Sequence, residues 1–104
     1  MNDEQIIENK LQPKDFDSFR LTPEKIDEVI IGEDYYVFPG TTITICCLTL
    51  RNGFNVIGES ASITQENFNA ETGRKVARNR ARDKIWVLEG YLSKEKLWGI
   101  WGLS

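Results

Sequence analysis

Between Arg74 and Lys84 the chain places six basic residues and one acid, Asp83, giving a local charge of +5. The whole chain carries −3, so everything outside that segment sums to −8. Arg74, Arg78 and Arg82 recur every fourth residue, a spacing that stacks side chains along one face of a helix. Guanidiniums in such a row repel one another unless something anionic lies across them, and their planar forks match phosphate oxygens. Three chemistries fit the pattern. The stripe is a solvated face paired with the acidic N-terminal half of the same chain, an anion site for a phosphate-bearing small molecule, or a contact to nucleic acid. The overall acidity weighs against the last, because proteins that grip the phosphate backbone are usually basic as whole domains.

Aromatic side chains near the stripe extend the second reading. Phe68 and the Tyr35-Tyr36 pair could stack on a purine ring, although core packing is the commoner fate of such residues. Asn67 and Asn69 flank Phe68, and their amides either read a base edge or cap a helix. The candidate ligand-binding set is therefore Arg74, Arg78, Arg82, Phe68, Asn67 and Tyr36. Trp98 and Trp101 stand in a short terminal segment, where exposed aromatics point to a subunit interface first and to docking on the same chain second.

Catalytic groupings are missing from this inventory. The chain has no histidine, which removes His-dependent triads, His metal ligation and the usual near-neutral general base. Its two cysteines, Cys46 and Cys47, are neighbours in an apolar run and face opposite sides of a strand, so they cannot readily bridge. Two thiols without histidine do not make a tetrahedral zinc site. No phosphate loop, nucleophile elbow or metal motif occurs. The expectation is a non-enzymatic binding protein with no cofactor and no metal.

The elements that position these residues fit in one domain of 104 residues, with eleven aromatics and 40% hydrophobic content to build a core. Residues 1–20 read as an N-terminal arm, with Ile6, Ile7 and Leu11 in a short helix and Phe16 and Phe19 tacking the arm to the body. Residues 21–92 read as the α+β domain and 93–104 as a tail. Thr22-Pro23-Glu24 starts a helix, with Thr22 as cap and Pro23 at the first helical position, and Gly32 ends it. Tyr35 to Phe38 form a candidate third strand, followed by a break at Pro39-Gly40. Thr41 to Leu50 form the central strand, Arg51-Asn52-Gly53 a turn, and Phe54 to Ala61 the returning strand of an antiparallel hairpin. From Thr64 or Gln65 the period changes to 3.6, and Phe68, Val76, Ala77, Ala81, Ile85, Leu88 and Leu92 form the inner stripe of one long C-terminal helix. Gly73 interrupts the stripe, and Gly90 and Ser93 mark its expected end. A lone hairpin is marginal in water, so it must pack on that helix or on a second copy.

No run of about 18 apolar residues occurs, and the acidic N-terminus lacks the order of a signal peptide, so a soluble cytoplasmic protein is expected.

Several blocks, Leu21-Thr22-Pro23-Glu24, Leu50-Arg51-Asn52-Gly53-Phe54, Gly58-Glu59-Ser60-Ala61 and Glu66-Asn67-Phe68-Asn69-Ala70-Glu71, keep a characteristic order and spacing. They continue through Gly73-Arg74-Lys75, Lys84-Ile85-Trp86 and Gly90-Tyr91. In these the chain resembles a family of small tailed-phage and prophage proteins of unassigned function, over roughly residues 21–92. Typical members carry a longer Gly- and Ala-rich insertion before the central strand, here reduced to Pro39-Gly40. The resemblance implies a phage accessory protein in the host bacterial cytoplasm. Small non-enzymatic phage proteins often blunt host defence, some by sequestering nucleotide immune signals inside a homo-oligomer whose helices supply arginines and aromatics. The runner-up is an inhibitor that binds a host protein through the hairpin edge or the Trp98/Trp101 tail.

Overall fold

The computed structural model describes residues 19–101. The helix expected within the first dozen residues, and Phe16, lie outside the described residues. The element order is a short helix α1 (Pro23–Glu28), strands β1 (Ile30–Val37), β2 (Ile43–Leu50) and β3 (Asn55–Ala61), a 3-10 turn (Gln65–Asn67) and a long helix α2 (Ala70–Trp101). The fold is α+β, as the sequence pattern indicates.

Helix α1 begins as expected. The Thr22 hydroxyl accepts from the Lys25 amide at 3.2 Å, and Pro23 opens the first turn. It ends sooner than expected, with Val29 at the C-cap, and Gly32 lies inside β1 instead of closing the helix. Ile26, Val29 and Ile30 carry helical spacing, but Ile30 is β-branched and pairs with Leu50 of β2. The pairing slips between Ile30 and Gly32, a local bulge, and then runs regularly from Gly32–Thr49 to Val37–Thr44.

The three strands form one antiparallel sheet in the order β1-β2-β3. The β2–β3 turn uses Gly53 at φ 89°, a conformation open to glycine at little cost. Leu50 and Phe54 close that turn with a 2.8 Å backbone bond. Register fixes two faces. Glu33, Tyr35 and Val37 align with Leu48, Cys46 and Thr44, which align with Val56, Gly58 and Ser60; this face carries α2. The other face presents Tyr36, Ile45 and Glu59 in one row and Asp34, Cys47 and Ile57 in the next. Cys46 is accordingly buried and Cys47 half-buried, and both are free thiols.

Ala77, Ala81 and Ile85 of α2 are fully buried against the sheet, together with Cys46, Leu48, Val56 and Ile26. Two sequence expectations for α2 need correction. Phe68 does not belong to its inner stripe: the chain makes a 3-10 turn capped by Thr64, passes through Phe68 in an extended conformation, and starts α2 at Ala70. The Asn69 side chain accepts from the Thr72 amide at 3.0 Å and caps the helix. At the other end, Gly90 and Ser93 do not stop it, and the helix continues to Trp101. An interior glycine costs only about 1 kcal/mol, and the flanking Tyr91, Leu92 and Lys94 to Trp98 sustain helical geometry. Among the described residues no helix is long and apolar enough to cross a membrane.

Candidate functional site

The basic segment of α2 divides into different directions. Arg78 Nε lies 3.3 Å from Glu33 Oε2 on β1, and Glu33 also accepts from the Tyr35 hydroxyl. Arg82 Nε donates to Asp27 Oδ1 at 2.8 Å, and its Nη2 donates to the Pro23 carbonyl at 3.1 Å. The Arg82 guanidinium, by hydrogen bond and charge, holds the Asp27 carboxyl below its ordinary value, and Asp27 raises Arg82 in turn. Two of the three arginines of the stripe therefore fasten α2 to α1 and β1, the self-pairing that the excess of acid elsewhere in the chain allows. Arg74 is exposed and makes no ion pair or hydrogen bond with the described residues.

Arg80 and Lys84 point the other way. Arg80 Nη1 donates to the Glu59 carbonyl at 2.8 Å and Lys84 Nζ to the Ile57 carbonyl at 2.5 Å. They cap outward-facing carbonyls of the edge strand β3, which guards that edge against pairing with another strand.

Beside Arg80 the structure holds a cavity of about 110 Å³ along the first turns of α2. Its walls come from Thr42, Ser60 to Ser62, Asn67, Asn69, Thr72, Gly73, Val76 and Arg80. The walls are braced from several sides. Thr42 donates to the Ser62 carbonyl at 2.8 Å, and Gln65 donates to the Gly40 carbonyl at 3.1 Å. Ser60 donates to the Gly73 carbonyl at 2.7 Å, locking the first turns of α2 onto β3. Gly73 fits closely there: a Cβ would lie 2.9 Å from the Thr44 hydroxyl, which would have to shift. That hydroxyl is fully buried and has no hydrogen-bond partner among the described residues. Asn67, Asn69, Thr72 and Arg80 line the opening, beside the first turns of a 32-residue helix. Such an arrangement suits an anionic or hydroxyl-rich group.

The structure thus brings Asn67 of the candidate set into a pocket with Asn69, its partner in the sequence reading and here the helix cap, and with Arg80 and Thr72, which the sequence did not single out. Phe68 is half-buried at the junction before α2. Tyr36 sits on the sheet face opposite α2, edge-to-face with Phe38 at 5.1 Å, and within one chain it does not meet the arginine stripe. Trp98 is exposed on the distal part of α2, and the side chain of Trp101 lies outside the described residues. Among the described residues no group of three or more His, Cys, Asp or Glu could hold a metal ion.

Fold and site together define a small α+β domain whose long helix closes a small pocket against a three-stranded sheet. Residues 21–97 match the model of the Phage protein (N4 Gp49/phage Sf6 gene 66) family, and the chain belongs to that family. No curated protein matches the chain, and no solved structure does.

Proposed function

We propose that this phage protein works by binding rather than catalysis, as a counter-defence factor that sequesters a phosphate-bearing nucleotide signal in the host cytoplasm. The observation that carries the reading is the pocket at the start of α2, about 110 Å³, whose lining includes Arg80, Asn67, Asn69 and Thr72. That volume suits one phosphoryl or ribose group and not a whole dinucleotide, so the remainder of the ligand lies outside it, against the exposed Arg74 or a second copy. Arg78 and Arg82 serve the ligand less directly, because their nearest anions are Glu33 and Asp27.

The test is isothermal titration of the protein against cyclic dinucleotides, cyclic trinucleotides and cyclic ADP-ribose isomers. Sub-micromolar binding to one class is expected. Absence of heat from all of them would overturn the nucleotide reading and leave the alternative, inhibition of a host protein. The capping of β3 by Arg80 and Lys84 argues against that edge as the inhibitory surface.

A further inference from the structure

Past Leu92, which still lies beside Leu50 and the β2–β3 turn, the helix α2 runs on beyond the end of the sheet. Thirty-two residues make a helix about 48 Å long, against about 27 Å for an eight-residue strand. Val87, Tyr91 and Trp98 are 72%, 68% and 48% exposed, and their spacing of four and seven residues puts them on one face of the helix. The same face descends into an apolar groove of about 480 Å³ whose walls include Phe54, Ile57, Val87 and Leu88.

We propose that this surface is where two copies of the chain associate, with the distal halves of α2 pairing antiparallel so that Trp98 of each copy seats over the groove of the other. A two-fold axis passing between Lys94 and Glu95 sets Trp98 of one copy opposite Tyr91 of its partner. Groove and plug stand on the same chain on either side of that axis, which is the self-complementarity an isologous contact needs. With Phe54 and Ile57 of the groove, the exposed side chains offer on the order of 600 Å² of apolar surface per copy, the low end of the roughly 600–1,000 Å² per partner of standard interfaces. The electrostatics agree. Pairing brings the negative C-terminal end of each helix toward Lys84 at the rim of the partner's groove. The pairing does not depend on the nucleotide reading.

Sedimentation equilibrium of the full chain tests it. The wild type at about 100 µM should run as a dimer, twice the 12.0 kDa of the chain, and the Tyr91→Glu/Trp98→Glu variant should run as a monomer with the sheet still folded. A second measurement fixes the direction. In a Cys47→Ser background, Glu95→Cys should form a covalent dimer on mild oxidation. Val87→Cys should not, because antiparallel pairing holds the two copies of position 87 about 20 Å apart. A monomeric wild type, including one that captures a host protein through Trp98, would overturn the proposal. So would a dimer indifferent to the double substitution, or cross-linking at position 87 in place of 95.

Discussion

Gly58 and Ala81 are in closer contact than any side chain at position 58 would permit: a Cβ built on Gly58 would lie 2.2 Å from the Ala81 amide nitrogen and 2.1 Å from the Ala77 carbonyl oxygen. The neighbours it meets are helix backbone, which cannot rotate away. Gly58, Ala77 and Ala81 are small because α2 lies directly on β3 there, and that contact fixes where Arg80 reaches the edge of the strand.

Gly58→Ala should therefore cost about 3 kcal/mol, the upper part of the range for overpacking a core, because α2 must lift bodily. Urea unfolding checks it. A loss below about 0.5 kcal/mol would mean that the helix is not seated so closely.

Thr44, packed beneath Gly73, gives a prediction of opposite sign. The Thr44 hydroxyl is buried without a protein partner, so Thr44→Val keeps the shape and removes the cost of an unsatisfied group. The variant should be about 1 kcal/mol more stable by thermal or urea unfolding. Destabilisation would show that the hydroxyl has a partner in solution.

Acid should weaken the clamp between α1 and α2. Asp27 has its carboxyl held below its ordinary value of 3.8 by Arg82. A depressed carboxylate adds stability above its unfolded-state value, and that stability is lost as pH falls through the folded-state value. Asp27→Asn should accordingly be less stable than wild type at about pH 7 and nearly equal to it at about pH 2. A pH-independent difference would mean that the ion pair contributes no linkage.

The two thiols should behave differently. Cys46 is buried facing α2, and burial raises its thiol above the usual range; Cys47 is half-buried on the opposite sheet face. Thiol titration of the native protein should label Cys47 alone, and both cysteines should react in denaturant. Rapid native labelling of Cys46 would contradict the register of β2.

These relationships were legible in the sequence to different depths. The β2–β3 hairpin was read closely because alternation and Asn52-Gly53 are local signals, and Thr22-Pro23 marked the start of α1 for the same reason. The start of β1 was hidden because Ile26, Val29 and Ile30 also satisfy a helical period, and only the partner strand decides between them. The end of α2 was misplaced because Gly90 and Ser93 look like a stop where the neighbouring residues favour helix. The arginine stripe was visible, but its partners were not: Glu33 lies 45 residues from Arg78, and Asp27 lies 55 from Arg82. Arg80 drew no notice because it falls off the four-residue spacing, and its neighbours in the pocket come from segments that meet only in three dimensions.

The most direct test of the account compares Arg80→Ala with Arg78→Ala in calorimetric titrations of the nucleotide that the wild type binds. Hydrogen bonds to a charged group contribute about 1.5–3 kcal/mol, so Arg80→Ala should weaken binding roughly 10- to 100-fold. Arg78→Ala should cost stability through the lost pair with Glu33 while leaving affinity largely intact. Undiminished affinity in Arg80→Ala, with loss confined to Arg78→Ala, would contradict the pocket and move the ligand to the arginine stripe.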